Sequence, residues 1–286
     1  MNPFRRTAPA PTPAVRRQRR AEVRRTERLT PHMVRVVLGG DDLADFAVEH
    51  ADSYVKLLFP QPGVAYPDDF DVAAIRKDRP REEWPAQRTY TVRAVDAGRG
   101  EVTIDFVHHG DEGLAGPWAA GAAPGDVVHL LGPGGAYTPA TDAPWHLLVG
   151  DASALPAIGA AAEQVPEGAR VLAVVEVAGP EEQQQLASHG ELTVHWVHRE
   201  PGSDPDALLA RLRELDLPAG IPHVFVHGEA DAVRAVRRWV RTDLGVPRES
   251  LSASGYWRRG RSEEGWRGEK SAWNAAVEQD EAARPA

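Results

Sequence analysis

The sequence predicts two domains in series, an all-β Greek-key barrel followed by an α/β domain with a doubly wound parallel sheet, and three observations carry this. The chain has 286 residues, about twice the size of a usual single domain. Up to residue 138 its apolar residues come in short alternating segments separated by Gly, Pro and Asp, the pattern of antiparallel strands buried on one face. From His146 onward, unbroken apolar runs alternate with helical patterns, which marks parallel strands covered on both faces.

Residues 1–20 form a Pro- and Ala-rich leader expected to be disordered. Strands are then expected at 33–38, 54–59, 90–95, 102–107 and 127–131, with the polar stretch 68–85 as a loop. Few helical patterns interrupt them, so closing residues 21–138 into a barrel buries the inner faces and leaves no open edge. Pro139, Asp142 and Pro144 make 138–145 a linker. In the second domain, 146–262, strands at 147–149, 171–177, 192–197 and 224–226 alternate with helical segments. These are an Ala-rich helix from Pro156, then 181–187, 207–217 and 232–244. Arg234, Arg237, Arg238 and Arg241 fall on the solvated face of the last helix, opposite Val233, Val236 and Val240. Residues 263–286 are a C-terminal extension whose Trp266 and Trp273 suit either docking or covering a site.

Composition removes whole classes of chemistry. With no cysteine there is no disulfide framework, thiolate metal site, Cys-ligated iron–sulfur cluster or cysteine nucleophile. No apolar run reaches the length of a membrane span and no secretory signal is readable, so a cytoplasmic protein is expected. The net charge is −9, yet residues 1–40 carry ten Arg against two Glu, +8 locally and −17 over the rest. Such a run can hold nucleic acid. A leader entering a strand with a basic solvent face explains it more simply, so no nucleic-acid partner is expected.

The segment Arg88, Thr89, Tyr90, Thr91, Val92, Arg93 carries the first chemical signal. On a strand, Arg88, Tyr90 and Val92 face one way and Thr89, Thr91 and Arg93 the other. A flavin needs an aromatic plate for its ring, hydroxyl or backbone donors near its nitrogens and a cation for its pyrophosphate, and this segment offers all three. An amphipathic strand with exposed charges is the plain alternative.

The same segment resembles the Arg-x-Tyr-Thr signature of the ferredoxin-reductase-like flavoproteins. The chain further resembles their siderophore-interacting branch, the NADPH-dependent ferric siderophore reductases, from Val23 through 29–35, 54–60, 105–110, 116–118 and 150–157 to 255–258. The resemblance implies a barrel that binds FAD and an α/β domain that binds NADPH or NADH. It puts Tyr90 beside the isoalloxazine, Thr91 near its redox-active edge and Arg88 toward the pyrophosphate. Asp105, Val107 and either His108 or His109 are implied at the ribityl and phosphate groups. Gly116 opens a short helix that suits phosphate, and Trp118 lies near the adenine or in the core. FAD is expected rather than FMN because this region reaches beyond the ribityl phosphate. The His108–His109 pair has no third ligand at metal spacing, so no metal site is expected.

In the second domain the strand-to-helix turn at Gly150 and Asp151, with Ser153 as a cap and Pro156 in the first helical turn, has a phosphate-binding shape without the G-x-G-x-x-G fingerprint. The family carries Glu-Thr where this chain has Ala152 and Ser153. Asp151, Ser153 and Trp257 are implied dinucleotide contacts, and Arg199 is implied at a 2′-phosphate, which favours NADPH. Glu176, near another strand end, suits the ribose hydroxyl of NADH instead. Lys56 and Arg258 match basic rim positions for an anionic ferric siderophore, while a third such position is Gly134 here.

The implied activity passes electrons from the nicotinamide through FAD to the ferric siderophore, releasing Fe(II), and needs no general acid or base. A flavoenzyme of the same fold serving a ferredoxin or flavodoxin, and a flavin-free binding protein, are the alternatives. A monomer is expected.

Overall fold

The computed structural model describes residues 17–199 and 206–282. The expected leader lies outside them as far as residue 16, whereas residues 18–20, assigned to it from sequence, already belong to the first strand. Seven strands, β1 (Gln18–Thr30), β2 (Met33–Gly39), β3 (Tyr54–Phe59), β4 (Ala86–Thr91), β5 (Ala94–Asp96), β6 (Glu101–Val107) and β7 (Val127–Gly134), form one sheet. Its order is β4-β3-β7-β1-β2-β6-β5, and every pairing is antiparallel.

The single strand expected over 90–95 is broken, and the break is what curls the sheet. Val92 N donates to Ser53 O on the β3 side at 2.7 Å, and Arg93 N donates to Thr103 O of β6 at 2.8 Å. Two successive residues are thus stitched to opposite edges of the sheet, giving a barrel-like body around Val36, Leu38, Leu57, Ile104, Phe106 and Leu130. The alternation read from sequence is the inward face of these strands.

The stretch expected to be a loop contains a short helix, α1 (Val72–Asp78). Asp71 caps it by accepting from Ala73 N at 2.7 Å, and Val72 and Ile75 pack with Leu58, Phe70 and Leu131. With two buried residues in seven, the helical period was too weak to read. A second short helix, α2 (Ala115–Gly121), follows β6.

The second sheet has the order β10-β9-β8-β11-β12 and is parallel throughout. It is built from β8 (His146–Asp151), α3 (Leu155–Gln164), β9 (Arg170–Val177), β10 (Glu191–His198), α4 (Ala207–Glu214), β11 (His223–Glu229), α5 (Ala230–Thr242) and β12 (Leu251–Trp257). The helix expected over 181–187 is absent: a single 3-10 turn, Pro180–Glu182, leads into irregular chain. The Glu182 side chain is drawn into the barrel, where it accepts from His32 N at 3.1 Å, and the glutamines after it present no apolar face.

The C-terminal extension is a helix, α6 (Glu263–Ala282). Trp266, Trp273 and Val277 are buried with Trp145, Leu147 and Trp239, so the extension completes the core of the α/β domain. The N-terminal arginines within the described residues are matched by local acceptors: Arg17 by Asp45, Arg24 by Glu22, Arg25 by Glu101 and Arg28 by the Pro31 carbonyl.

Candidate active site

The end of β4 meets the carboxyl edge of the parallel sheet, and the sequence-predicted residues gather along that seam. Tyr90 is partly buried, its ring 4.4 Å from that of Phe106, and burial raises its phenol pKa. Thr91 ends the strand, 7% exposed, near Tyr256 of β12. Arg88 is turned toward α6, where its Nη1 donates to Glu264 Oε1 at 2.6 Å. Arg267 of the same helix donates to the Gln87 carbonyl, so α6 is anchored on the flavin-type strand.

At the end of β6, Val107 and His108 are partly buried and His109 is exposed. Gly116 lets α2 pack against this strand end: a Cβ there would stand 2.9 Å from the Val107 carbonyl oxygen. Trp118 faces inward, its ring edge-on to Phe59 at 5.6 Å, so it belongs to the barrel core. Asp105, also implied at the flavin, is held by an arginine of β2. Arg35 holds its carboxylate through two bonds of 2.7 and 2.8 Å, and the pair lines a cleft of about 330 Å³ between the domains with Arg93, Leu155 and Pro156.

The carboxyl ends of the parallel strands carry buried carboxylates that hold one another's neighbours in place. Asp151 Oδ1 accepts from Ser153 N at 2.9 Å and Ser153 Oγ at 2.5 Å, while Oδ2 accepts from Glu229 N and Trp257 Nε1, each at 2.8 Å. Ser153 is therefore not the helix cap expected for it; α3 starts after Ala154 without a side-chain cap. Gly228 permits the approach, with φ of 138° and a would-be Cβ 2.8 Å from the Asp151 carboxylate.

Arg199 and Glu176, read as rival determinants of dinucleotide choice, are partners: Arg199 Nε donates to Glu176 Oε1 at 2.6 Å. The Arg199 guanidinium also sits 5.8 Å from the Trp257 ring centroid. Of the rim residues, Lys56 lies on β3 close enough to Lys270 of α6 for the two ammonium groups to repel. Arg258 is held at 3.5 Å by both Asp231 and Glu269.

Two further links close the seam, and a third lies within the α/β domain. Arg93 pairs with Glu163 of α3 at 2.6 and 3.0 Å, His32 Nδ1 lies 2.7 Å from Glu182 Oε1, and Tyr256 Oη lies 2.9 Å from His227 Nδ1. Sequence reasoning gave Glu182, His227 and Glu264 no role. The one available signal was a histidine ending the apolar run 224–226.

Comparison with known families decides the lineage. Residues 22–137 match the Siderophore-interacting FAD-binding domain and residues 143–260 match the Siderophore-interacting protein family. The chain belongs to the siderophore-interacting proteins. α6 lies beyond both matched regions. An uncharacterized protein of Mycobacterium tuberculosis is 44% identical over 86% of this chain and 92% of its own length. The ferric vibriobactin reductase of Vibrio cholerae is 32% identical over 86% and 91%, and the NADPH-dependent ferric-chelate reductase of Escherichia coli is 32% identical over 84% and 93%. The crystal structure of the siderophore-interacting protein SipS from Aeromonas hydrophila superposes with a TM-score of 0.77 at 31% identity, covering 91% of this chain and 99% of that one.

The residues at the seam fit the FAD that such a barrel binds. A guanidinium (Arg88), a ring plate (Tyr90) and a hydroxyl (Thr91) lie on β4 and two imidazoles (His108, His109) follow the end of β6, with Arg88 held by the Glu264 carboxylate. Among the described residues there is no cluster of three metal-ligating side chains, and no helix is long and apolar enough to cross a membrane.

Proposed function

We propose that the chain reduces ferric siderophores with electrons from NADPH or NADH passed through bound FAD, so that iron leaves the chelate as Fe(II). The observation that carries this reading is the anchoring of α6 on the flavin-type strand, Arg88 to Glu264 and Arg267 to the Gln87 carbonyl, which holds that strand beside the helix that follows β12 at the carboxyl edge of the parallel sheet, where dinucleotides bind in open α/β sheets. FAD supplies the conversion of a two-electron donor into single-electron transfers. The ferric ion is the substrate's cargo, and oxygen-rich chelators hold Fe(III) far more tightly than Fe(II), so reduction releases it.

The chain's residues bind and orient. Tyr90 backs the isoalloxazine, Thr91 addresses its reactive edge, His108 or His109 and the Gly116 turn meet the ribityl and phosphate groups, and Arg88 turns from Glu264 to the pyrophosphate. On the α/β side, Asp151 fixes Ser153 and Trp257 beside the dinucleotide, and Arg199 reaches its adenosine ribose. Lys56 with Lys270, and Arg258, form a basic rim that draws in an anionic chelate. Reduced nicotinamide is an intracellular reagent, so the reaction belongs in the cytoplasm. The names of the Vibrio and Escherichia relatives support both the substrate class and the donor.

The test is direct. Protein incubated with FAD and desalted should keep the flavin absorbance, reduce on anaerobic addition of NADPH or NADH, and release Fe(II) from ferric siderophores to a ferrous trap. Tyr90→Ala should retain much less flavin. Purified protein without bound FAD after this treatment would rule the reading out.

A further inference from the structure

The first turn of α6 meets the flavin-type strand through charge. Arg88 Nη1 donates to Glu264 Oε1 at 2.6 Å and to the Gln87 carbonyl of its own strand at 3.0 Å. The Arg88 side chain is 13% exposed and that of Glu264 60%, so a largely desolvated cation is met by an anion that reaches in from the surface. Glu263 and Glu264 open the helix, where the unbonded amides favour negative charge. Arg267, on the next turn, donates to the Gln87 carbonyl and stands 3.7 Å from Glu263.

The helix does not depend on the Arg88 bond for its seat. Trp266 is buried so close to β12 that a Cβ on Gly255 would stand 2.9 Å from its ring, and Trp273 and Val277 share the same core. Further along, Lys270 Nζ donates to Ser254 Oγ at 3.2 Å, and Glu269 holds Arg261 at 2.8 Å and Arg258 at 3.5 Å. Loss of the Arg88–Glu264 pair therefore leaves α6 in place. The released carboxylate faces water and Arg267, three positions along the same helix face.

A guanidinium this short of water needs an anion. In the flavin-free chain that anion is Glu264. For Arg88 to meet the diphosphate of FAD it must give up this bond, because phosphates brought up to an intact pair would face the Glu264 carboxylate at close range. We propose that Glu264 is a decoy anion, which holds Arg88 in the flavin-free protein, loses it to the FAD diphosphate and thereby sets the FAD affinity. The inference rests on the reading of Arg88 as the residue that meets the pyrophosphate. By linkage the exchange is reciprocal: whatever weakens the Arg88–Glu264 pair tightens FAD, and bound FAD releases the first turn of α6 from the barrel. Since α6 lies beyond both regions that match the family, this control belongs to the extension and not to the two domains it caps.

Glu264→Gln keeps the side chain's size and removes its charge. In fluorescence titrations of the full chain freed of flavin, the variant should bind FAD about fivefold more tightly than the parent or better. The same substitution made in an Arg88→Gln background should bring no gain. Urea melts read the other side of the linkage. Without FAD, Glu264→Gln should unfold at lower urea than the parent; at saturating FAD the difference should shrink, since the holoprotein has already given up the bond, and only the share due to the helix dipole remains. Weaker FAD binding in Glu264→Gln would make Glu264 a support for Arg88, and unchanged affinity would mean that the pair survives in the holoprotein. An equal gain with and without Arg88 would reduce the effect to repulsion between Glu264 and the phosphates. Each of these results overturns the decoy. A parent protein that does not bind FAD at all defeats the reductase reading first.

Discussion

His146 and His227 sit at opposite ends of the neighbouring strands β8 and β11, both buried, and they differ in every polar contact. His227, toward the carboxyl edge, has Tyr256 on one nitrogen and Ser252 on the other. His146, at the amino edge, is 0% exposed with neither nitrogen bonded, and its ring stands edge-on to His223 at 6.1 Å. Burial first, and then the neighbouring Lys270 and His223 respectively, depress the two imidazoles to about 3 and about 4. The rest of the two ends follows suit. The carboxyl edge is a mesh of bonded carboxylates around Asp151, Glu176 and Glu229, whereas the amino edge stacks rings, Tyr137 on His223 at 4.9 Å, as a core does. A depressed pKa therefore does not by itself mark a functional histidine, since burial depresses both whatever they bond.

The strongest test of this contrast removes the hub of the bonded end. Asp151→Ala strands the Glu229 amide and the Trp257 indole N–H, and should lower unfolding stability by about 3 kcal/mol in urea melts, at about 1–3 kcal/mol for each unpaired donor. A loss below about 1 kcal/mol would mean that water replaces the carboxylate.

The opposite end should respond with the opposite sign. His146→Leu removes two unbonded nitrogens and should raise stability by about 1 kcal/mol at neutral pH. Its advantage should grow in acid. The unfolded chain protonates His146 below its ordinary 6.5, while the folded chain holds out to about 4. Parent stability therefore falls as pH drops through that window, by at most about 1.4 kcal/mol per pH unit from this group. Urea melts of parent and variant across the window would sink the comparison if the two curves ran parallel.

The smallest effect concerns ligand choice. Glu176→Gln frees Arg199 from its partner and should shift the ratio of NADP⁺ to NAD⁺ affinity by about fivefold toward NADP⁺, roughly 1 kcal/mol, in calorimetric titration of the holoprotein. An unchanged ratio would put the ion pair clear of the adenosine ribose.

Much of the architecture was legible because it rests on local pattern. Alternation over Val102, Ile104 and Phe106 records one buried barrel face, and the apolar run at Leu147, Leu148 and Val149 records a strand buried on both. Elements with few buried residues were not: α1 hides two apolar side chains, and the glutamines after Glu182 left the crossover from β9 irregular. β12 also escaped, since Ser252 and Ser254 interrupt its apolar pattern. At the site, Tyr90 and Thr91 could be proposed from one strand's worth of chemistry. The partners of Asp105 and Ser153 could not, because a carboxylate is claimed by whichever donor folding brings nearest.

Short-range periodicity, the Arg-x-Tyr-Thr segment and the further matching segments from Val23 to Arg258 thus sufficed for the domain order, the family and the flavin-type strand, since each segment depends on residues a few places apart. The tertiary links join positions far apart in the chain: Trp257 to Asp151 within the α/β domain across 106 residues, and, across the seam, His32 to Glu182 across 150 and Arg88 to Glu264 across 176. No local rule selects among the acidic residues open to each cation. Which pairs form, whether across the seam or, like Arg199 with Glu176, within the α/β domain, was settled by tertiary packing, as was the burial that keeps His227 neutral.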